Sequence, residues 1–189
     1  MPKRPGEDGA EVLPFRDADE FDAWLAEHHG DQAGVWLKLA KTSSGIASMT
    51  SDEAVDVGLC WGWISGQRRG LDETWYLQKY VPRRPRSRWS QVNVRKVEEL
   101  SAAGRMRAPG LAEVEAARAD GRWTAAYVSQ KEFTVPDDLR AALGAVPAAA
   151  AAYDALTRTE RYAVVLDLVT ARDENTRRAR LEKAVAALS

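Results

Sequence analysis

Residues 62–82 read GWISGQRRGLDETWYLQKYVP, and this stretch decides the fold class. Residues 62–67 predict one strand and residues 75–81 a second, because aromatic and β-branched side chains fit a pleated surface. Gly70 and Asp72 fall in the turn predicted between them. Pro82 ends the second strand, since proline has no backbone N–H for the ladder. The segment therefore predicts a β-hairpin.

Helices and one further strand surround this hairpin along the chain. Residues 35–39, VWLKL, predict another buried strand. Asp17 and Thr50 are each followed three residues later by a glutamate, which is typical of a capping box at a helix start. The last third of the chain is rich in Ala, Arg and Leu at helical spacing. We expect an α+β fold, in which a small antiparallel sheet is flanked by helices and followed by a helical C-terminal module.

The 189 residues divide into three predicted segments. Residues 1–13 are rich in Pro, Gly and charged side chains without periodicity, which predicts a disordered tail. All seven tryptophans lie between residues 24 and 123, so residues 14–130 are predicted to form an α+β Trp-rich domain. Residues 131–189 are predicted to form the helical C-terminal module.

Composition argues against several classes of protein. The net charge is −1, so no general attraction to nucleic acid is expected. No apolar window approaches the roughly 18 residues of a membrane span. Cys60 is the single cysteine, so no intramolecular disulfide can form, and the first ten residues do not resemble a signal peptide. We therefore expect a cytoplasmic protein without a membrane partner. The sequence leaves the oligomeric state open.

A basic segment follows the hairpin. Residues 81–107 carry eight Lys and Arg against two Glu. Arg83, Arg84 and Arg86 lie in a strand-to-helix connection, where guanidinium groups can converge on a phosphate or carboxylate. The helix predicted to begin near Ser87 or Ser90 offers free N–H groups to the same anion. The alternative is that these arginines pair with acidic residues of the same chain.

Aromatic side chains crowd the same region. They could form the wall of a ligand pocket, with the arginines as a basic rim, or they could be part of the core. The first alternative predicts a site for a small anionic or peptide-like ligand. Its predicted residues are Trp63, Gln67, Trp75, Tyr80, Arg83, Arg84, Arg86, Ser87, Trp89, Ser90 and Asn93.

The sequence specifies no reaction. Phosphate-binding, dinucleotide-binding, nucleophile-elbow and zinc-protease motifs are not found, so no cofactor is expected. His28 and His29 are adjacent rather than at metal-ligand spacing, so no metal is expected. Cys60 is predicted to be a buried, inert thiol.

Two alternatives to a binding protein stay open. The first is an enzyme that acts on a small anionic metabolite, with arginines for binding and Ser87, Ser90, Asn93 or Tyr80 as polar partners in catalysis. The second is an interaction module that docks on an acidic protein or a nucleic acid. Its docking residues would be the clustered Arg172, Arg177, Arg178 and Arg180.

Several ordered motifs resemble the YdeI/OmpD-associated family. Residues 53–64 resemble its "EA…LCxGWID" stretch, and residues 82–93 resemble "PRRxxSxWSxxN". Residues 135–139 and 175–181 resemble its helical C-terminal module, and the resemblance spans residues 15–189. Ser65 stands where the family usually has Asp, and residues 166–172 lack the usual Ala-Lys pair, so no role of those residues carries over.

The resemblance implies a cytosolic bacterial protein associated with protection against bacteriocins or antimicrobial peptides and with envelope stress. That association describes a phenotype and implies no mechanism.

Overall fold

A computed structural model describes residues 8–130 and 132–189. The chain forms two compact units. The N-terminal unit comprises the residues up to Ser87 together with Lys96–Ala116, and the C-terminal unit comprises Arg88–Arg95 with Ala117–Ser189. Residues 117–130 therefore group with the C-terminal helices, whereas the sequence placed them in the Trp-rich domain. The predicted domains stay a prediction, because compactness alone does not show that a segment folds independently.

Four strands and eight α-helices make up the described chain. The strands are β1 (Glu11–Leu13), β2 (Val35–Ala40), β3 (Trp63–Gly70) and β4 (Trp75–Pro82). The helices are α1 (Ala18–His28), α2 (Ser51–Cys60), α3 (Gln91–Ala102), α4 (Ala108–Ala119), α5 (Asp137–Gly144), α6 (Pro147–Ala155), α7 (Arg158–Val169) and α8 (Glu174–Leu188).

The strands form one sheet in the order β1-β2-β4-β3. β4 pairs antiparallel with both β2 and β3, which confirms the hairpin and the α+β class. The sheet is mixed rather than purely antiparallel, because β1 runs parallel to β2. β1 also corrects the predicted tail, since Glu11–Leu13 pair with β2; residues 1–7 lie outside the described residues.

One face of the sheet packs against α1 and α2. Phe21, Leu25, Val57, Trp63 and Tyr80 belong to this core. Both helices begin where the sequence predicted. The Asp17 side chain accepts a bond from the Glu20 N–H, and Thr50 and Glu53 form a reciprocal capping box.

The other face buries a charged group. Lys79 is 8% exposed and lies with Trp36 and Leu77. Its Nζ donates to Asp8 at 2.8 Å, and the Trp36 indole N–H donates to the same carboxylate at 3.1 Å. Burial favours a higher pKa for Asp8, but the bonds from Lys79, the Ala10 N–H and Trp36 outweigh it and lower the pKa. Asp8 thus satisfies a lysine that would be costly to bury alone.

The C-terminal unit has its own apolar core, built around Leu139, Leu143, Tyr153, Val165 and Leu168. Arg177 of α8 binds Asp138 of α5 in a bidentate pair with N–O distances of 2.7 and 3.0 Å. The region is helical, as predicted. None of the described helices has the length and apolar character needed to cross a membrane.

Gly110 allows α4 to contact the end of α2. A Cβ atom at Gly110 would overlap the carbonyl oxygen of Cys60, whereas one at Gly144 would meet no heavy atom within 4 Å. We expect Gly110→Ala to lower the free energy of unfolding by about 1–3 kcal/mol through overpacking. Gly144→Ala should leave it unchanged or raise it by up to about 1 kcal/mol. Urea denaturation measures both, and equal stability of the two variants would contradict this packing.

Candidate functional site

A hollow of about 610 Å³ lies on the helix-covered side of the sheet in the N-terminal unit. We call it the Arg68 hollow. It is formed by the end of β2, the loop that follows, the first residues of α2, and one side chain each from β3 and β4. Its lining residues are Ala40, Lys41, Thr42, Gly45, Ile46, Ala47, Ser48, Met49, Thr50, Ser51, Arg68 and Tyr76.

Hydroxyl groups fix the loop that forms one wall. Thr42–Ser44 make a turn of 3-10 helix, in which the Ser44 hydroxyl donates to the Lys41 carbonyl at 2.7 Å. Gly45 follows in the left-handed region, with φ of +68°, which glycine adopts without strain. The Ser48 hydroxyl accepts from the Ala40 N–H at 3.1 Å and so ties the loop to the end of β2. The wall is therefore held in place by its own short polar side chains.

A β-bulge places the main cation of the hollow. β3 pairs Ser65 with Tyr80 and Arg68 with Gln78, so three steps along β3 match two along β4. Paired residues share one face of a sheet, so the extra residue puts Arg68 on the face of Tyr80. Regular alternation from Ser65 would put Gln67 on that face instead.

The Gln78 side chain holds the bulge. Its Nε2 donates to the carbonyl oxygens of Gly66 and Gln67 at 3.0 and 3.1 Å. Gln78 is only 7% exposed, and the bulged backbone supplies the acceptors that its buried amide needs. The position of Arg68 is thus fixed by backbone bonding rather than by its own side chain.

Arg68 lies over the ring of Tyr76. The guanidinium carbon is 3.8 Å from the ring centroid, and the ring is largely buried. Within residues 8–130 and 132–189, no carboxylate pairs with Arg68, whose side chain is exposed. The contact with the ring pairs none of the Arg68 N–H groups with a carboxylate, and these N–H groups match a carboxylate or phosphate.

Lys41 and two hydroxyls complete the polar lining. Lys41 Nζ donates to the backbone carbonyl of Asp72 at 2.6 Å, which leaves two of its three donors. The Thr42 and Ser51 hydroxyls make no hydrogen bond to any described residue. Two cations and two available hydroxyls suit an anionic group. Ile46, which is 46% exposed, adds an apolar surface beside them.

The acidic residue of the α2 capping box is already bonded. Glu53 Oε2 accepts from the Thr50 N–H and hydroxyl, each at 2.8 Å, and these bonds lower the pKa of Glu53. The described lining of the hollow contains no acidic side chain. Its electrostatic character is therefore set by Arg68 and Lys41.

The structure corrects part of the ligand site predicted from the sequence. Trp63, Tyr80 and Trp89 are each 1% exposed, so they cannot form a wall open to solvent. The Trp63 indole donates to the His29 carbonyl at 2.9 Å, and burial raises the pKa of Tyr80. These aromatic side chains are core residues, which is the alternative that the sequence left open.

The predicted arginines lie in different environments. Arg83 is buried, and its backbone N–H donates to the Gly62 carbonyl at 3.0 Å. Arg84 and Arg86 are exposed, and the Arg84 N–H donates to the Ser87 hydroxyl at 2.9 Å. A role for Arg84 and Arg86 in ligand binding stays a prediction.

The remaining predicted residues do not share one environment. The Ser90 hydroxyl accepts from the Asn93 N–H at 3.2 Å, in the manner of an N-cap for α3. Gln67 is exposed beside the bulge. Trp75 lies under Lys38, whose Nζ is 4.6 Å from the ring centroid, on the sheet face opposite Tyr76. Because Ser87 and Ser90 already bond to the backbone, the enzyme alternative gains no support from them.

Three of the four arginines of the proposed interaction module make polar contacts, and Arg172 is exposed. Arg177 binds Asp138, and Arg180 lies 3.3 Å from Asp167. Arg178 donates to the Asn175 side chain at 2.9 Å. Carboxylates of the C-terminal unit therefore balance the charges of Arg177 and Arg180.

Cys60 lines a smaller hollow of about 200 Å³ with Asp22, Arg105 and Arg107. Asp22 accepts from Arg107 at 2.8 Å and from the Trp61 indole at 2.7 Å. Cys60 is 2% exposed. Burial raises the pKa of its thiol, although the charge of Arg105 opposes this. The prediction of a buried thiol is confirmed.

Two family models match different parts of the chain. Residues 13–113 match the family model described as Domain of unknown function (DUF8412). The chain belongs to the DUF8412 family. Residues 132–189 match the model described as Bacteriocin-protection, YdeI or OmpD-Associated, which confirms the family resemblance for the C-terminal module. The motifs at residues 53–64 and 82–93 lie within the DUF8412 match. Searches of curated proteins and of solved structures found no match. The Arg68 hollow lies within the residues that match the DUF8412 model.

Sequence reasoning missed the residues of the Arg68 hollow. Lys41 and Thr42 follow β2, Ser51 begins α2 and Arg68 lies just beyond the strand predicted at residues 62–67, and the sequence analysis gave none of them a role. The Arg68-Arg69 pair in an otherwise polar strand was the available signal. The face of the sheet on which Arg68 lies depends on the bulge, and no local sequence pattern predicts that bulge.

The thiol of Cys60 should react slowly in the folded protein. We expect alkylation by iodoacetamide at pH 8 to be at least about tenfold slower than for free cysteine, because the raised pKa lowers the thiolate fraction. Mass spectrometry measures the rate, and the same protein in guanidinium chloride is the control. Native labelling as fast as unfolded labelling would show that the thiol is accessible.

Proposed function

We propose that this DUF8412 protein binds a small anionic or peptide-like ligand in the Arg68 hollow. One observation carries the proposal: an exposed guanidinium lies 3.8 Å from the centre of the Tyr76 ring without a carboxylate partner among the described residues. An arginine held in one orientation loses less conformational entropy when it binds an anion. The contact with Tyr76 thus lowers the conformational entropy that Arg68 would lose on binding a ligand.

The lining also favours a particular kind of anion. Arg68 and Lys41 suit a carboxylate or phosphate, and hydrogen bonds to charged groups contribute about 1.5–3 kcal/mol each. Thr42 and Ser51 can donate to or accept from a peptide unit, and Ile46 can contact an apolar side chain. A peptide with a free C-terminal carboxylate combines these three features.

Replacement of Arg68 tests the site. Thermal shift with acetyl-trialanine, succinate and inorganic phosphate should show stabilisation of the wild-type protein by at least one of them. Arg68→Ala should weaken that ligand's binding by about tenfold or more, which corresponds to about 1.4 kcal/mol. Its cost to stability should stay within about 1 kcal/mol, the usual contribution of an exposed cation–π contact.

Arg69→Ala is the matched control. Arg69 is the next residue of β3, and it lies 5.8 Å from the ring of Trp36 on the opposite face of the sheet. The Arg69→Ala substitution removes the same charge as Arg68→Ala without changing the hollow, so ligand binding should persist. Acetyl-trialanine amide, which lacks the carboxylate, should bind less well than the acid. Equal loss of binding in both variants would indicate a general charge effect and would rule out the Arg68 hollow.

We further infer that the protein acts in the cytoplasm, in protection against bacteriocins or antimicrobial peptides and in envelope stress. Bacteriocin protection is supported by the description of the family that matches residues 132–189, and the wider role is supported by the motif resemblance. A single cysteine is also what a reducing compartment favours.

Protection can be measured in cells. Expression of the wild-type protein in a bacteriocin-sensitive bacterium should raise survival, and Arg68→Ala should reduce this gain while Arg69→Ala keeps it. Viable counts after bacteriocin exposure, at equal protein levels, give the result. If wild-type and empty-vector cells survive equally, the protective role is wrong even where ligand binding is found.

A further inference from the structure

A second hollow, of about 320 Å³, lies in the C-terminal unit beside α5 and α6. We call it the Tyr153 hollow. Most of its wall is aliphatic, and its polar side chains are Tyr153, Arg140 and Asp154. The lining residues are Val135, Arg140, Leu143, Gly144, Ala150, Tyr153 and Asp154.

Tyr153 has a buried hydroxyl without a partner. The side chain is 4% exposed, and its hydroxyl makes no hydrogen bond to the residues described here. Tyr162 in the same unit differs, because its hydroxyl donates to the Val128 carbonyl at 3.0 Å. A buried polar group without a partner costs roughly 1–3 kcal/mol. A ligand that supplies the missing bond would recover this free energy.

The tyrosine is held in a neutral, hydrogen-bonding form. Burial raises the pKa of Tyr153, although the charge of Arg161 opposes this. Arg161 lies 5.9 Å from the Tyr153 ring centroid and donates to the carbonyls of Leu156 and Asp154. The phenol therefore remains protonated at neutral pH and can donate to a ligand.

Two opposite charges accompany the phenol. Arg140 bonds to Asp137 at 2.7 Å, but the two side chains are 67% and 94% exposed, so the pair contributes little and is readily exchanged. Asp154 also lines the hollow and is exposed. A simple anion would be repelled by Asp154 and a simple cation by Arg140, whereas a zwitterion matches both.

We propose that the Tyr153 hollow binds a small zwitterion with an aliphatic side chain, of the amino acid or dipeptide class. The side chain would pack on Val135, Leu143 and Ala150, and the carboxylate would face Arg140. The ammonium would face Asp154, and the Tyr153 hydroxyl would donate to the ligand. This site lies in the other compact unit, so it does not depend on the Arg68 hollow.

Three matched probes test the ligand class. L-leucine has the aliphatic skeleton with both charges, 4-methylpentanoate lacks the ammonium, and 3-methylbutylamine lacks the carboxylate. Titrated into the ¹⁵N-labelled full chain, leucine should shift the amide signals of α5 and α6 with at least about tenfold tighter binding than either analogue. No shift with leucine, or equal binding of all three probes, would overturn the proposal.

Two tyrosine variants test the hydroxyl. Tyr153→Phe should keep or raise the stability of the free protein, because it removes an unsatisfied group, and it should weaken leucine binding by about tenfold. Tyr162→Phe removes a hydroxyl that has a partner, so it should lower stability and leave leucine binding unchanged. If Tyr153→Phe binds leucine as the wild type does, the hydroxyl has no role and the assignment is wrong. Arg68→Ala should not change leucine binding, which separates this site from the first.

Discussion

The N-terminal unit depends on β4 being paired along both edges and buried on both faces. The backbone N–H and C=O groups of β4 bond to β2 and β3, but the strand also places the polar side chains of Gln78 and Lys79 in the interior. A buried amide and a buried ammonium are each costly unless they are bonded. Asp8 forms an ion pair with Lys79, and the carbonyl groups of the β3 bulge accept hydrogen bonds from Gln78.

The bulge links this requirement to the candidate site. Its carbonyl groups accept hydrogen bonds from the buried side chain of Gln78. Its extra residue also exchanges the faces of the sheet on which the following β3 side chains lie. Arg68 consequently stacks on Tyr76 at the edge of the hollow, while Arg69 lies over Trp36 on the other face. The same local irregularity therefore serves stability and places a cation where a ligand can reach it.

Each compact unit buries a phenol hydroxyl that has no partner among the described residues, Tyr80 in the N-terminal unit and Tyr153 in the C-terminal unit. In the N-terminal unit the buried Lys79 and Gln78 are both bonded, and Arg68, which has no carboxylate partner among the described residues, is exposed. In the C-terminal unit Arg177 is paired with Asp138, while the Tyr153 hydroxyl is buried without a described partner. An exposed cation suits recognition of charge, and an unsatisfied phenol in an aliphatic wall suits a ligand with both apolar and polar parts.

Local patterns in the sequence were sufficient for the hairpin, the caps at Asp17 and Thr50, and the helical C-terminal region. Each of these depends on residues a few positions apart, so short-range spacing is enough to identify them. The burial of Trp63 and Tyr80, the pairing of β1 and the site around Arg68 could not be read in this way. They depend on which face of the sheet the helices cover and on a one-residue change of register, and both are settled only when distant segments pack and pair.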